Sequence, residues 1–327
     1  MTFEARVAGL TALGLSPRHA QFVATVALHS GYCLRRQYER FAGLHSGKSV
    51  RDFLDGLVTR KWATRTAPRP DRGYVYHLYS RPLYRALGAE HSRNRRPTDP
   101  AQITRKLMLL DYVLSRPDVR WYATEEDKVQ LFTDTFAVPT IALPRRLYTS
   151  AEGAATTGRY FIDRLPIGIS RDVAVEFVFL SIDGAPASFA SFLRALRRLF
   201  EALPTWRVIV IGPCRWAGLD RTFQRFVGET APADIDVAGL RWYFERRSLV
   251  ERGALAQLTV DDIRRYREWQ ARLSTPALDA LYRRWSADAD VDLSSACRGS
   301  SPLGRGEIQI EALPFRYEQF GSLPGVA

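Results

Sequence analysis

Residues 15–88 read LSPRHAQFVATVALHSGYCLRRQYERFAGLHSGKSVRDFLDGLVTRKWATRTAPRPDRGYVYHLYSRPLYRALG, and the order of signals in this stretch decides the fold. Ser16 and Pro17 stand where an N-cap and a first helical residue belong. The run His19 to Ser30 then places Phe22, Val23, Val26 and Ala27 on one face before Gly31 closes it. Leu34, Tyr38 and Phe41 follow at i, i+4 and i+7, which predicts a short second helix over 32–43. After the turn His45-Ser46-Gly47-Lys48, Ser49 and Asp52 have the spacing of a capping box, so a third helix is expected over 49–60. Its Val50, Phe53, Leu54 and Leu57 form the stripe to be buried, leaving Lys48, Ser49, Arg51, Asp52, Asp55, Thr59 and Arg60 outward. Two β-prone runs, 62–67 and 74–79, flank Pro68-Arg69-Pro70-Asp71-Arg72-Gly73 and predict a hairpin with arginines at its tip. A short helix over 81–88 closes the unit.

Helix, helix, helix, strand, turn, strand resembles the winged helix-turn-helix family. The same 15–88 segment resembles the N-terminal domain of the replication-relaxation proteins of plasmids and integrative elements, over about a quarter of the chain. The resemblance implies double-stranded DNA as partner, the third helix as the reader in the major groove, and the hairpin as a wing on phosphates or the minor groove. The competing reading is a winged helix used as a protein-interaction module, its basic face merely solvated.

Charge favours the DNA reading. Residues 1–97 hold 17 Lys+Arg against 6 Asp+Glu, a net of +11, whereas residues 98–327 hold 30 against 29, a net of +1. A surplus confined to one small unit suits a polyanionic partner. The residues expected to touch DNA are Arg35, Arg36, Lys48, Ser49, Arg51, Arg60, Arg65, Arg69, Arg72, Arg95 and Arg96. Only four of the 47 basic residues are lysine; coding bias explains this first, and bidentate phosphate or guanine contacts are compatible with it.

Bulk properties set the rest of the frame. At 327 residues and 46% apolar composition the chain has room for two or three globular domains. Its longest apolar runs, 173–180 and 208–211, are interrupted or short, and no secretory signal is seen, so a cytoplasmic, nucleoid-associated protein without a membrane span is expected. Cys33, Cys214 and Cys297 lie far apart and form neither a zinc motif nor a disulfide framework. The expected organisation is a winged-helix domain at 1–88, a basic linker at 89–100, and a mixed α/β domain at 101–327 for assembly, sensing or partner contact. An amphipathic helix over 101–114 either forms a dimer seam or opens the second domain, the latter being favoured; the protein is expected to be a homodimer.

Past 118, short strands are expected at 119–123 and 138–143 around a helix at 125–133, with another strand starting at 159. Residues 172–180, 188–203 and 206–213 read as strand, helix, strand with a parallel crossover. Helices at 260–273 and 276–286, a low-complexity loop at 294–306 and a last strand at 307–313 complete the pattern. Asp163, Pro166-Ile167-Gly168 and Glu176 resemble the core of restriction-endonuclease-like nucleases, which implies carboxylates on a metal ion and a lysine at the scissile phosphate. Here the triplet is Glu176-Phe177-Val178 and the lysine is missing. No lysine follows Lys128 and no histidine follows His91, which removes Ser-His-Asp, Cys-His and HUH chemistry from the second domain, and no P-loop occurs. Tyr282 and Tyr317 lack the His and Lys a tyrosine recombinase would want. Asp163, Glu176 and Asp183 are the acids left for Mg²⁺, and isolated acids at strand ends are mostly structural. The expectation is a DNA-binding regulator with no catalytic residue, metal or cofactor. The alternative is an accessory factor in replication, mobilisation or recombination of a mobile element, with a degenerate nuclease-like second domain.

Overall fold

The structure is a computed structural model. It describes residues 1–45, 47–69, 72–149, 156–163, 165–228, 236–273, 276–287 and 306–317, with single residues 291, 293, 303 and 319. The chain is a mixed α+β protein with several sheets. No helix among the described residues is long and apolar enough to cross a membrane.

The amino-terminal unit begins with a helix that periodicity does not announce, α1 (Phe3–Ala12), started by Thr2, whose hydroxyl accepts from the Ala5 amide at 3.2 Å. Helix α2 (Pro17–His29) starts as its sequence signals, with the Ser16 hydroxyl accepting from the His19 amide. The expected helix over 32–43 is divided. Tyr32–Leu34 is a strand, β1, and only Arg35–Ala42 is helical, α3. The strand wins because Tyr32, Cys33 and Leu34 pair antiparallel with a distant segment, while the Gln37 side-chain oxygen takes the Leu34 amide at 2.8 Å and starts the helix there. Helix α4 spans Lys48–Thr59 with Gly47 as its N-cap, so Ser49 lies inside the first turn and caps nothing. Strands β2 (Ala63–Thr66) and β3 (Val75–Leu78) form the hairpin, and β3 lies centrally in a three-stranded antiparallel sheet of order β1-β3-β2. Helix α5 (Arg81–Ala86) closes the unit.

Residues 89–100, expected as a linker, are packed. Arg93–Arg95 make one 3₁₀ turn whose Asn94 is buried, its amide donating to the carbonyls of Ala27 and Leu28 at 3.0 Å each. The Asn94 carbonyl sits 3.0 Å from His77 Nε2, and Lys106 Nζ donates to Asn94 Oδ1 at 3.0 Å. Composition suggested a linker because the segment is polar; Asn94 and Arg95 spend their polar groups on backbone carbonyls, while His91, Arg93, Arg96 and Asp99 stay exposed.

Helix α6 (Pro100–Ser115) is then walled in on both sides. Its Ile103, Leu107, Met108 and Tyr112 share one apolar cluster with Tyr32, Leu34 and Val75 of the first sheet and with Val178, Ile209 and Ile211 of the second. A helix buried this way is an internal spine, which leaves no apolar stripe for a dimer seam.

The second sheet has five strands in the order β10-β9-β8-β7-β4. Strands β4 (Arg120–Tyr122) and β7 (Ile167–Ile169) run antiparallel to their neighbours. Strands β8 (Val175–Leu180), β9 (Trp206–Gly212) and β10 (Gly306–Ala312) are parallel, and α8 (Pro186–Ala202) makes the expected crossover. Alternation along β8 sends Val175, Phe177 and Phe179 to a core shared with α8, and Val178 and Leu180 to the α6 side. Helix α7 (Glu125–Gln130) is carried on by a π turn at Leu131–Thr135. The strand expected at 138–143 is instead a 3₁₀ turn at Thr140–Ala142, and the strand comes later, as β5 (Arg145–Thr149) paired with β6 (Thr156–Tyr160). Pro139 and Pro144 bracket the segment and withhold ladder donors from it. Two helices were not expected, α9 (Leu219–Gly228) and α10 (Val237–Glu251); α10 joins α11 (Val260–Leu273) and α12 (Pro276–Ala287) around an aromatic cluster of Tyr243, Phe244, Tyr266 and Tyr282. Apart from 303 and 306, the loop expected at 294–306 lies outside the described residues.

Candidate nucleic-acid interface

The candidate interface is built on α4. Val50, Phe53, Leu54 and Leu57 are buried in the amino-terminal core, and Phe53 stacks on the His19 ring with centroids 4.0 Å apart. Burying that stripe turns Lys48, Ser49, Arg51 and Asp52 outward from the first turn. Here the helix dipole and the free amides of the first turn add to the positive charge of the side chains. At the other end Arg60 is exposed and its guanidinium lies 5.1 Å from the centre of the Trp62 ring.

The hairpin lies beside α4 and is tied to it. Arg65 on β2 donates to Asp55 of α4 at 2.8 Å and covers the Tyr74 ring at 4.5 Å, so this arginine positions the hairpin as much as it presents charge. Arg69 and Arg72 are exposed near the tip, where the Arg72 amide donates to the Arg69 carbonyl at 3.2 Å and Gly73 takes φ +78°. Pro70 and Asp71 lie outside the described residues. The Arg72 carbonyl is also met by Gln319 Nε2 at 3.5 Å.

The structure thus leaves Lys48, Ser49, Arg51, Arg60, Arg65, Arg69 and Arg72 exposed on α4 and the hairpin beside it, and engages three of the other four in contacts elsewhere. Arg35 is held by Glu39 one turn on, at 2.7 Å. Arg36 points into the molecule: it meets Asp111 through both nitrogens at 2.7 and 2.8 Å and lies 4.2 Å over the Phe315 ring. Arg95 donates to the carbonyls of Glu90 (2.7 Å) and Tyr79 (3.2 Å), which makes it a brace for its own segment. Arg96 is exposed on that segment. Among the exposed side chains of the amino-terminal unit that sequence reasoning left out of the contact set are Arg18 in the first turn of α2, Lys61 just past α4, and Tyr74 at the foot of β3. Their signal was available in the helix ends and hairpin edges that the same reasoning had drawn.

The acidic residues of the second half are scattered. Asp163 and Asp183 are exposed on loops, Asp183 accepting from the Ala185 amide at 3.0 Å. Glu176 is fully buried on the α6 face of β8, where Arg116 donates to Oε1 at 3.0 Å and Arg207 lies 3.5 Å away. Two guanidinium groups therefore neutralise this carboxylate. Among the described residues no group of three or more His, Cys, Asp or Glu is placed to hold a metal ion. Comparison with protein families, with curated proteins and with solved structures finds no match to this chain.

Proposed function

We propose that this protein is a double-stranded DNA-binding regulator, with α4 as the reader helix of a winged helix-turn-helix and the β2–β3 hairpin as its wing. The observation that carries the reading is the outward face of α4: Lys48, Ser49 and Arg51 are exposed in its first turn, and the hairpin that carries the exposed Arg69 and Arg72 is fastened to the same helix by Arg65–Asp55. Side chains at the start of a reader helix reach base edges, and those of the wing reach phosphates. The charge surplus of +11 in residues 1–97 supports the same reading. Arg36 and Arg95 drop out of the contact set because their guanidinium groups are spent inside the protein.

The test is a gel-shift series across salt concentrations. Each phosphate neutralised contributes about 0.9 to the slope of log K against log salt, so replacing Arg51, Arg69 and Arg72 together by Ala flattens it by about 3. Arg36→Ala, which touches no DNA in this reading, leaves the slope unchanged. Binding that is absent, or indifferent to salt, refutes the proposal.

A further inference from the structure

The β5–β6 ribbon belongs to neither of the larger sheets. Its foot is fastened to the body: the flanking Leu143 and Phe161 are buried in the core shared with α8, and the Phe161 amide donates to the Pro144 carbonyl at 3.0 Å. Glu125 of α7 adds to this anchor by accepting from the Tyr160 amide at 2.8 Å. Beyond the foot Arg145, Arg146, Leu147 and Tyr148 are all exposed, Leu147 at 57% and Tyr148 at 43%. Successive side chains of a strand point to opposite faces, so four exposed residues in a row mean that both faces of the ribbon meet solvent.

The ribbon is also basic. Residues 145–160 hold three arginines against one acid, Glu152, in a half of the chain whose charges otherwise nearly balance. The register sets Arg146 directly opposite Arg159, on the face that also carries Tyr148. Like charges at opposed positions of an antiparallel pair repel. Arg159 is offset in part by Glu125, 3.5 Å away, with both side chains still partly in water. Arg145 and Arg146 have no ion pair among the described residues; the Arg146 guanidinium lies 5.7 Å from the centre of its neighbour, the Tyr148 ring. An anion laid along this face relieves the repulsion, and regularly spaced anions are what a nucleic-acid backbone supplies. Shape narrows the choice. The major groove of B-form DNA admits a two-stranded ribbon and is walled by a backbone on either side, whereas the major groove of duplex RNA is deep and narrow.

We propose that the β5–β6 ribbon is a second DNA-binding element, standing in the major groove of a duplex with Arg145 toward one backbone and Arg146 and Arg159 toward the other. The inference rests on the DNA-binding reading and adds to it a contact made by the second half of the chain.

Fluorescence anisotropy of the full chain on a mixed-sequence DNA duplex of about 30 base pairs, roughly three helical turns, tests this across salt concentrations. Replacing Arg145 and Arg146 together by Ala is expected to flatten the slope of log K against log salt by about 2, at about 0.9 per phosphate, while replacing both by Lys keeps the parental slope. Both positions are exposed, so the variants keep the circular dichroism spectrum and urea midpoint of the parent. Taking the same charge from the exposed side of α8, by Arg194→Ala with Arg198→Ala, leaves the slope as it was. The proposal is overturned if the ribbon alanine variant keeps the parental slope, or if the α8 variant flattens it equally. It is overturned too if the ribbon substitutions weaken binding to duplex RNA of the same length as much as to DNA. The two readings fail separately. A ribbon variant that matches the parent while the Arg51, Arg69 and Arg72 variant loses slope removes this inference alone; the reverse pattern removes the reader helix and its wing and leaves the ribbon. A parent that binds no duplex removes both.

Discussion

His29 couples the stability of this protein to pH in a window that few other groups share. An unfolded histidine takes a proton near pH 6.5, whereas the folded ring resists it until about 3 because burial and two nearby cations penalise the charge. The unfolded state therefore binds the extra proton over that interval. The stability His29 contributes is complete above about pH 6.5 and is lost as pH falls, at about 1.4 kcal/mol per pH unit. Between pH 7.5 and 5.0 the loss comes to about 2 kcal/mol at most, since the ring borders a cavity that opens to solvent. Asp127 acts elsewhere on the scale. Burial raises its pKa, but Arg6 and Thr124 overcome that and hold it below the ordinary carboxylate value. Its contribution is present above about pH 3.9 and fades only below, so it stays silent in the histidine window. Urea unfolding of the parent and of His29→Gln at pH 7.5 and 5.0 isolates the effect: the parent loses stability on acidification and the variant loses less. Equal losses in both would show that the folded ring takes its proton normally.

Gly31 shows how an element boundary is fixed by a partner far along the chain. It ends α2 and enters β1 at φ +80°, and a Cβ there would stand 2.4 Å from the Asn94 carbonyl oxygen. Gly31→Ala therefore incurs both a left-handed backbone cost and a clash with backbone, at least about 2 kcal/mol together. The variant is expected to shift its urea midpoint downward and to admit trypsin faster at Arg93 and Arg95; unchanged cleavage there would mean that the 89–100 segment is not held by this contact. The same position explains which elements the sequence made legible. α2, α4 and the β2–β3 hairpin were readable because local signals agree: Ser16-Pro17 at a start, Val50-Phe53-Leu54-Leu57 as a stripe, Gly73 at a turn. β1 was not, because Leu34, Tyr38 and Phe41 satisfy a helical period while the pairing of Tyr32 with His77 is invisible locally. α1 was missed since only Leu10 and Arg6 of it are buried, and Arg6 is buried through a residue 121 positions away. The candidate interface followed the same rule. Basic residues were legible as a type, but the inward turn of Arg36 and Arg95 depends on partners that no local pattern names. Leu240, Tyr243 and Phe244 at i, i+3 and i+4 were a readable signal for α10 that went unused.

Because α6 is shared between the two sheets, the amino-terminal unit and the central sheet belong to one cooperative structure. The junction is polar as well as apolar. Asp111 of α6, 2% exposed, receives Arg36 from α3 through both oxygens and the Tyr317 hydroxyl at 2.8 Å from the segment after β10. One carboxylate thus ties together a helix beside the candidate reader, the spine, and the end of the last strand. Asp111→Ala leaves a buried phenol without its acceptor and a half-buried guanidinium without its counter-charge, which costs about 2–4 kcal/mol; the range lies below that of a fully buried pair because the Arg36 side chain keeps 30% of its surface in water. If the two halves were independent, that loss would appear only in the stability of one. With a shared spine it lowers the protection of slow amides in α2 and in β9 alike, by similar factors, and urea unfolding followed by circular dichroism and by tryptophan fluorescence keeps one common midpoint. Hydrogen exchange of the parent and Asp111→Ala reads this directly. Protection lost in α2 while β9 is unaffected would mean that α6 belongs to the first unit alone, and that an event at the central sheet has no rigid path to α4.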